Sequence, residues 1–233
     1  MKKYKILTIL LFTFHFAFSQ LIKVEFLVKN DSLPKKERKD FIYLEKNTDV
    51  SNAKYIGRLK VINKQNSIYM AVYLLKDKAQ KKGANSFKFI DFKNENNITE
   101  LVIDAYVITE EIKIINRNNL PKNKLFFFGK DNIEKETTEE YTLNDNVKQI
   151  KSFHYTVVDF DKEVKIYKGK AFGSSLTLKP SNLNNLQFIN FSGFGASSTS
   201  MASGGVGLSF SGGSIIEMDA DYGLLLTNIF ALN

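Results

Sequence analysis

The sequence predicts an α+β N-terminal domain of order β-α-β-β, with one main helix on a small sheet, followed by an all-β, sandwich-like C-terminal domain. Three observations carry that expectation. One stripe of apolar residues at helical spacing occupies residues 65–82, between segments that alternate with period two. From residue 124 onward, short alternating segments recur every 10–15 residues or so, separated by Gly, Asn and Asp. Between them, NRNNLPKNK lacks periodicity and contains Pro121. The expected division is a leader over 1–19, an α+β domain over 20–120 and an all-β domain over 121–233, with the boundary near 117–123.

The chain opens with MKKYKILTILLFTFHFAFSQ. Lys2, Lys3 and Lys5 precede an apolar run over residues 6–18, and Ala17 and Ser19 are small residues before Gln20. This is the pattern of a secretory signal peptide. The run is shorter than the ~20 residues that a membrane-spanning helix needs. The mature chain is therefore expected to start at Gln20, in the periplasm or outside the cell, with no transmembrane segment after removal of the signal.

In residues 20–30, Ile22, Val24, Phe26 and Val28 alternate and predict a strand. DSLPKKERKD (31–40) reads as a charged surface loop or short helix, and FIYLEK (41–46) as a second short strand. AKYIGRLKV (53–61) reads as a strand in which Gly57 marks a bulge or a close approach. The helix over 65–82 places Ile68, Ala71, Val72, Leu75 and Ala79 on one stripe, with Asn66 or Ser67 as its cap and Gly83 as its C-terminal stop. SFKFIDF (86–92) and ELVIDAYVI (100–108) supply strands joined by an Asn-rich hairpin. If the strands flanking the helix pair in parallel, their crossover is right-handed.

In the C-terminal half, KLFFFGK, EEYTLND, VKQIKSFHYTVVDFD, KEVKIYKGK, SSLTLKP, LQFINFSGFG and GVGLSFSGG read as strands. GFGASSTSMASGGVG (193–207) has no charge and reads as a flexible loop. The terminal LLLTNIFAL reads as a last buried strand.

Composition excludes several functions. There is no Cys, which removes lipidation at a lipobox, thiolate metal sites, iron–sulfur centres and thiol nucleophiles. Removing residues 1–19 leaves 214 residues, lowers the formal charge from +8 to +5 as three lysines leave, and makes His154 the sole histidine. Any metal would be a hard cation held by oxygen. Arg38, Arg58 and Arg117 are the only arginines, so nucleic acid is not an expected partner.

Four features could carry chemistry. His154 stands near Asp159 and Asp161, but no G-x-S-x-G elbow accompanies it. Glu217, Asp219 and Asp221 alternate, and on a strand they would share a face able to bind Ca²⁺, although the spacing departs from the EF-hand loop. Lys76, Lys78, Lys81 and Lys82 form a cationic helix face, preceded in the chain by Lys35, Lys36, Arg38 and Lys39. Such a face suits an anionic envelope component or an acidic envelope protein. GFGAS fails as a phosphate loop, because no third glycine and no Lys-Ser/Thr follow. No catalytic residue and no cofactor is called for.

AKYIGRLKV leading into a helix, then KDKAQKKGANSFKFIDF, is similar to the small β-α-β-β modules of bacterial envelope proteins over about 60 residues. The chain as a whole resembles uncharacterised secreted or periplasmic proteins of Bacteroidetes, without the cysteine of their lipoprotein members. That resemblance implies an exported two-part protein and supplies no site residues. The sequence thus points to a non-enzymatic binding or interaction module of the cell envelope. Two alternatives stay open: a carboxylate-based hydrolase acting on envelope glycans, and a structural or membrane-surface protein.

Overall fold

A computed structural model of the chain describes residues 22–30, 40–64, 67–96, 98–131, 136–169, 173–180, 186–192, 195–200, 206–211 and 214–233. The leader and the basic run around Lys35 to Lys39 lie outside them, as does Asn66. The chain forms two compact units, Met1–Asn119 and Leu120–Asn233. The described residues are mostly β, with three helices and several sheets.

Unit 1 is built on strands β1 (Ile22–Lys29), β2 (Ile42–Tyr43), β3 (Lys54–Asn63), β4 (Ser86–Glu95) and β5 (Ile98–Val107). They form one sheet of order β1-β3-β5-β4-β2. Helix α1 (Ile68–Gln80) follows β3 and precedes β4. The strands on either side of α1 do not pair with each other. Both are antiparallel to β5, which lies between them.

The ends of α1 follow from its sequence. Ser67 caps it, its hydroxyl accepting from the Met70 amide at 3.2 Å. At the other end Gly83 has φ of 90°, its N–H bonds Gln80 O at 2.9 Å, and Ala84 N–H bonds Ala79 O at 3.2 Å. These paired bonds are a Schellman ending, and glycine occupies the left-handed position because it has no Cβ to clash. Ile68, Ala71, Leu75 and Ala79 are buried, while Val72 is half-buried. Leu59, Val61, Leu101 and Ile103 on β3 and β5 are buried as well, and α1 packs on these two strands. Gly57 does both things expected of it. The ladder shifts between Tyr55 and Gly57, and a Cβ there would sit 2.4 Å from Val28 O.

A second helix, α2 (Glu110–Asn119), occupies the stretch expected to be an aperiodic connector. Its pattern is hidden because only Ile112 and the polar Asn116 are buried, while Ile114 and Ile115 are exposed. Asn116 takes the place of an apolar anchor. Its Oδ1 accepts from Glu45 N and Thr48 Oγ1, both at 2.8 Å, and its Nδ2 donates to Tyr43 O at 2.8 Å. Glu110 and Glu111 in the first turn and Arg117 in the last suit the helix dipole. Among its described residues, unit 1 therefore carries a second, shorter helix beside the expected main one.

Unit 2 contains β6 (Lys124–Phe128), β7 (Thr138–Leu143), β8 (Asn146–Lys151), β9 (His154–Asp159), β10 (Val164–Lys168), β11 (Ser174–Leu178) and β12 (Leu186–Ser192). β13 (Gly195–Ser200), β14 (Val206–Ser211), β15 (Ser214–Glu217), α3 (Ala220–Leu226) and β16 (Ala231–Leu232) complete it. One sheet has order β11-β10-β7-β8 and a second β15-β12-β6-β9-β16. A shared core joins them, with Leu125, Phe127, Ile189 and Phe191 from the second sheet and Tyr141, Leu143, Ile150 and Ile166 from the first. β6 is buried on both faces, which explains its unbroken apolar run. Phe126 stacks on Phe188 at 5.0 Å and Phe128 meets Phe230 edge-on at 5.6 Å. Phe188 in turn packs against Gly223 of α3, where a Cβ would fall 2.2 Å from its ring.

Three expectations for unit 2 are corrected. VKQIKSFHYTVVDFD is two strands, broken at Ser152 and Phe153. Phe153 has φ of 56°, and the chain there leaves one sheet for the other. LLLTNIFAL is not a strand. Leu224, Leu225 and Leu226 are buried in α3, and only Ala231–Leu232 pairs, with β9. Unit 2 thus carries a short helix beside its strands. Within 193–207, residues 195–200 and 206–207 belong to a two-stranded ribbon, not a loop.

Candidate functional site

The most developed polar arrangement lies on the sheet of unit 1. Arg58 of β3 stands opposite Asp104 of β5, and Tyr55 opposite Tyr106. Arg58 donates Nε to Asp104 Oδ1 at 2.8 Å and Nη2 to Oδ2 at 2.7 Å, the fork-to-fork pairing that a guanidinium favours. Tyr55 Oη donates to the same Oδ1 at 3.0 Å. Asp104 is buried and accepts three hydrogen bonds. The Tyr55 and Tyr106 rings lie 5.3 Å apart at 54°. Lys60 and Glu100, at 2.6 Å, extend the charged ladder along the same pair of strands.

Burial, reinforced by the bond to Asp104, pushes the Tyr55 phenol up to about 12. Tyr106 rises as well, through burial first and then the Asp104 charge, without a bond to it. The Asp104 bond raises Arg58 above its ordinary value. An aspartate so engaged is a positioning group and not a free acid or nucleophile.

Beside this cluster, where β1 ends and β3 begins, an open depression of about 440 Å³ is lined by Lys29, Asn30, Lys54 and Tyr55. Asn30 N–H bonds Ile56 O at 3.0 Å, which holds the end of β1 against β3. Lys29 and Lys54 are both exposed, and among the described residues neither has a carboxylate within ion-pair distance. Each ammonium offers three donors and no acceptor, so the depression is chemically a place for an anion.

The residues singled out from the sequence fare differently. Of the helix lysines, Lys78 Nζ is spent on Val24 O at 2.7 Å and Lys81 pairs with Asp77 at 2.6 Å. Lys76 and Lys82 are half-buried. Glu217, Asp219 and Asp221 do not share a strand face. Glu217 ends β15, Asp219 caps α3 by accepting from the Asp221 and Tyr222 amides at 3.0 and 3.2 Å, and Asp221 lies in the first turn of that helix. Among the described residues no group of three or more His, Asp or Glu is arranged to hold a metal ion. His154 Nδ1 lies 2.8 Å from Ser152 O, an acceptor, so Nδ1 carries the proton there. Asp159 pairs with Lys124.

Unit 2 holds one further charged cluster. Glu139 bridges Lys130 and Lys168, and Lys168 also donates to Glu140 O at 3.1 Å and lies 5.5 Å from the Phe191 ring centre. Burial works to raise the Glu139 carboxyl, but the two lysines outweigh it and hold the group below its usual value. Glu139 and Lys168 are nearly enclosed, so their pairing ties β7 to β10.

Neither this cluster nor the Lys29–Lys54 depression was found from sequence alone, because both are assembled across strands of unknown register. One signal was present: Arg58 is one of three arginines in a Lys-rich chain, and Asp104 interrupts the apolar ELVIDAYVI.

No family model matches this chain, and comparison with curated proteins and with solved structures likewise yields no match. The functional reading therefore rests on its own residues. Among the described residues no helix is long and apolar enough to cross a membrane.

Proposed function

We propose that this chain is an exported, non-enzymatic binding module of the cell envelope, and that it holds an anionic group of an envelope component between Lys29 and Lys54. The observation that carries this reading is the pair of exposed amines at the mouth of an open depression, neither with a carboxylate partner among the described residues. Asn30 adds an amide at the same mouth, and Tyr55, whose phenolic proton is given to Asp104, lines its wall. Asp104, itself held by Arg58, fixes Tyr55, and Lys29 and Lys54 stand on the paired strands β1 and β3. The leader-like start of the chain supports delivery to the periplasm or beyond.

Cross-linking in intact cells of the native host, followed by mass spectrometry, tests the reading. A reproducible envelope partner captured by the natural chain and lost from a Lys29→Glu/Lys54→Glu variant is the expected result. Turnover of an envelope glycan, abolished by changing a single carboxylate, would replace this reading with hydrolysis.

A further inference from the structure

We propose that the β13–β14 ribbon is a self-association element, pairing edge to edge with the ribbon of a second copy of this chain. The argument begins with what an open strand edge costs. Its unpaired N–H and C=O groups are a template for any other strand, and proteins blunt such edges with charge, proline, bulges or brevity.

The other edge strands of this chain carry such a device. β1 contains a register shift between Phe26 and Val28 and bears Lys23, Glu25 and Lys29. β8 bears Lys148 and Lys151. β2 and β16 are two residues each, and β15 is four residues and ends at Glu217. β11 is followed at once by Lys179 and Pro180, and its Ser174 hydroxyl accepts from Ile215 N of β15 at 3.1 Å.

The ribbon has none of them. β13 and β14 pair only with each other, so each has one edge without a ladder partner among the described strands. Their register runs from Gly195 opposite Ser211 to Ser200 opposite Val206 without a shift. It continues the register of β12 with β15, where Ser192 stands opposite Ser214. Residues 180–216 contain no Asp, Glu, Lys, Arg or His and, after Pro180, no proline. In a chain with 25% charged residues, a charge-free run of that length is not a product of composition. In β14, Val206, Leu208 and Phe210 alternate with Gly207, Ser209 and Ser211, the period of a strand.

A second copy is the occupant that answers these features. Inserted alone into hydrocarbon, a two-stranded ribbon would keep its edge groups unsatisfied, whereas another ribbon satisfies them. The absence of charge on both partners also removes the like-charge repulsion that would oppose identical strands.

The chain contains no Cys, so single introduced thiols report contacts cleanly. Ser198→Cys (β13) and Leu208→Cys (β14) are treated with a short thiol-to-thiol linker, with Lys148→Cys on β8 as control. Covalent dimers from either ribbon position, and none from Lys148→Cys, are expected, and which position links best identifies the pairing edge. Sedimentation of the natural protein over a micromolar to submillimolar series should show association. A Thr199→Lys/Ser209→Lys variant with an unchanged far-ultraviolet spectrum and melting temperature should stay monomeric. A monomer throughout the series, equal association of the Lys variant, or equal linking at Lys148→Cys would each overturn the proposal. Flotation of a monomeric natural protein with phosphatidylglycerol vesicles, lost in the Lys variant, would overturn it in favour of a lipid surface.

Discussion

Arg58 and Asp104 occupy opposing positions on β3 and β5 and are joined by two charge-assisted hydrogen bonds, of 2.8 and 2.7 Å. Their side chains differ in exposure, 39% for Arg58 and 8% for Asp104, so the carboxylate depends on the pair more than the guanidinium does. Asp104→Asn is expected to lower the stability of unit 1 by about 2 kcal/mol. Tyr55→Phe, which removes the third bond to the same carboxylate, should cost about 1 kcal/mol. Urea unfolding of both variants measures this, and unchanged midpoints would show the cluster to be energetically idle.

Burial of Tyr55, together with the same bond, predicts a titration. Tyr55 ionises at about 12 in the folded chain against 10.0 for a free phenol. A folded value above the unfolded one means that the contribution is complete below pH 10.0 and is lost as pH rises towards 12. Ultraviolet titration of the Tyr55→Phe variant should lack one late-ionising phenol. Loss of a phenol titrating near pH 10 would contradict the assignment.

Glu139 predicts behaviour at the acid end. Its carboxyl is held below its ordinary value of 4.5, so the stability it brings is present above pH 4.5 and lost as pH falls through the lowered value. Glu139→Gln should flatten the acid limb of the stability profile. It should also cost about 3 kcal/mol at neutral pH, because Lys168 is left enclosed without its partner. A variant with the natural acid limb would show that other carboxylates govern it.

Asn116 fastens α2 by three hydrogen bonds. Asn116→Ala should cost about 2–4 kcal/mol, since two donors and one carbonyl lose partners in a buried place. Hydrogen exchange should show the amides of α2 losing protection before those of α1. Unaltered protection of α2 would mean that Ile112 alone holds it.

How far the sequence could be read depended on the kind of signal each element uses. Helix α1 was legible because its buried residues are all apolar and its ends carry a serine and a glycine. Helix α2 was not, because the residue that fastens it is an asparagine while its exposed residues include Ile114 and Ile115. The three leucines of α3 fit a buried strand and a short helix equally well, and Asp219, which caps the helix, was read instead as part of a carboxylate triplet. The break at Phe153 has neither glycine nor proline to announce it. The candidate site was the least legible part. Lys29 and Lys54 stand 25 positions apart in the chain, and only the pairing of β1 with β3 brings their surroundings together. Charge clustered along a helix was visible, whereas charge assembled across strands required the register.

The central claim, an anion held between Lys29 and Lys54, is tested most directly by nuclear magnetic resonance titration of the isotope-labelled protein with polyphosphate. The account predicts saturable shifts at the amides of Lys29, Asn30, Lys54 and Tyr55, weakened by added salt and absent from the Lys29→Glu/Lys54→Glu variant. Shifts confined to Lys76 on α1 and Lys82 just after it, or no saturable shift at any residue, would contradict it.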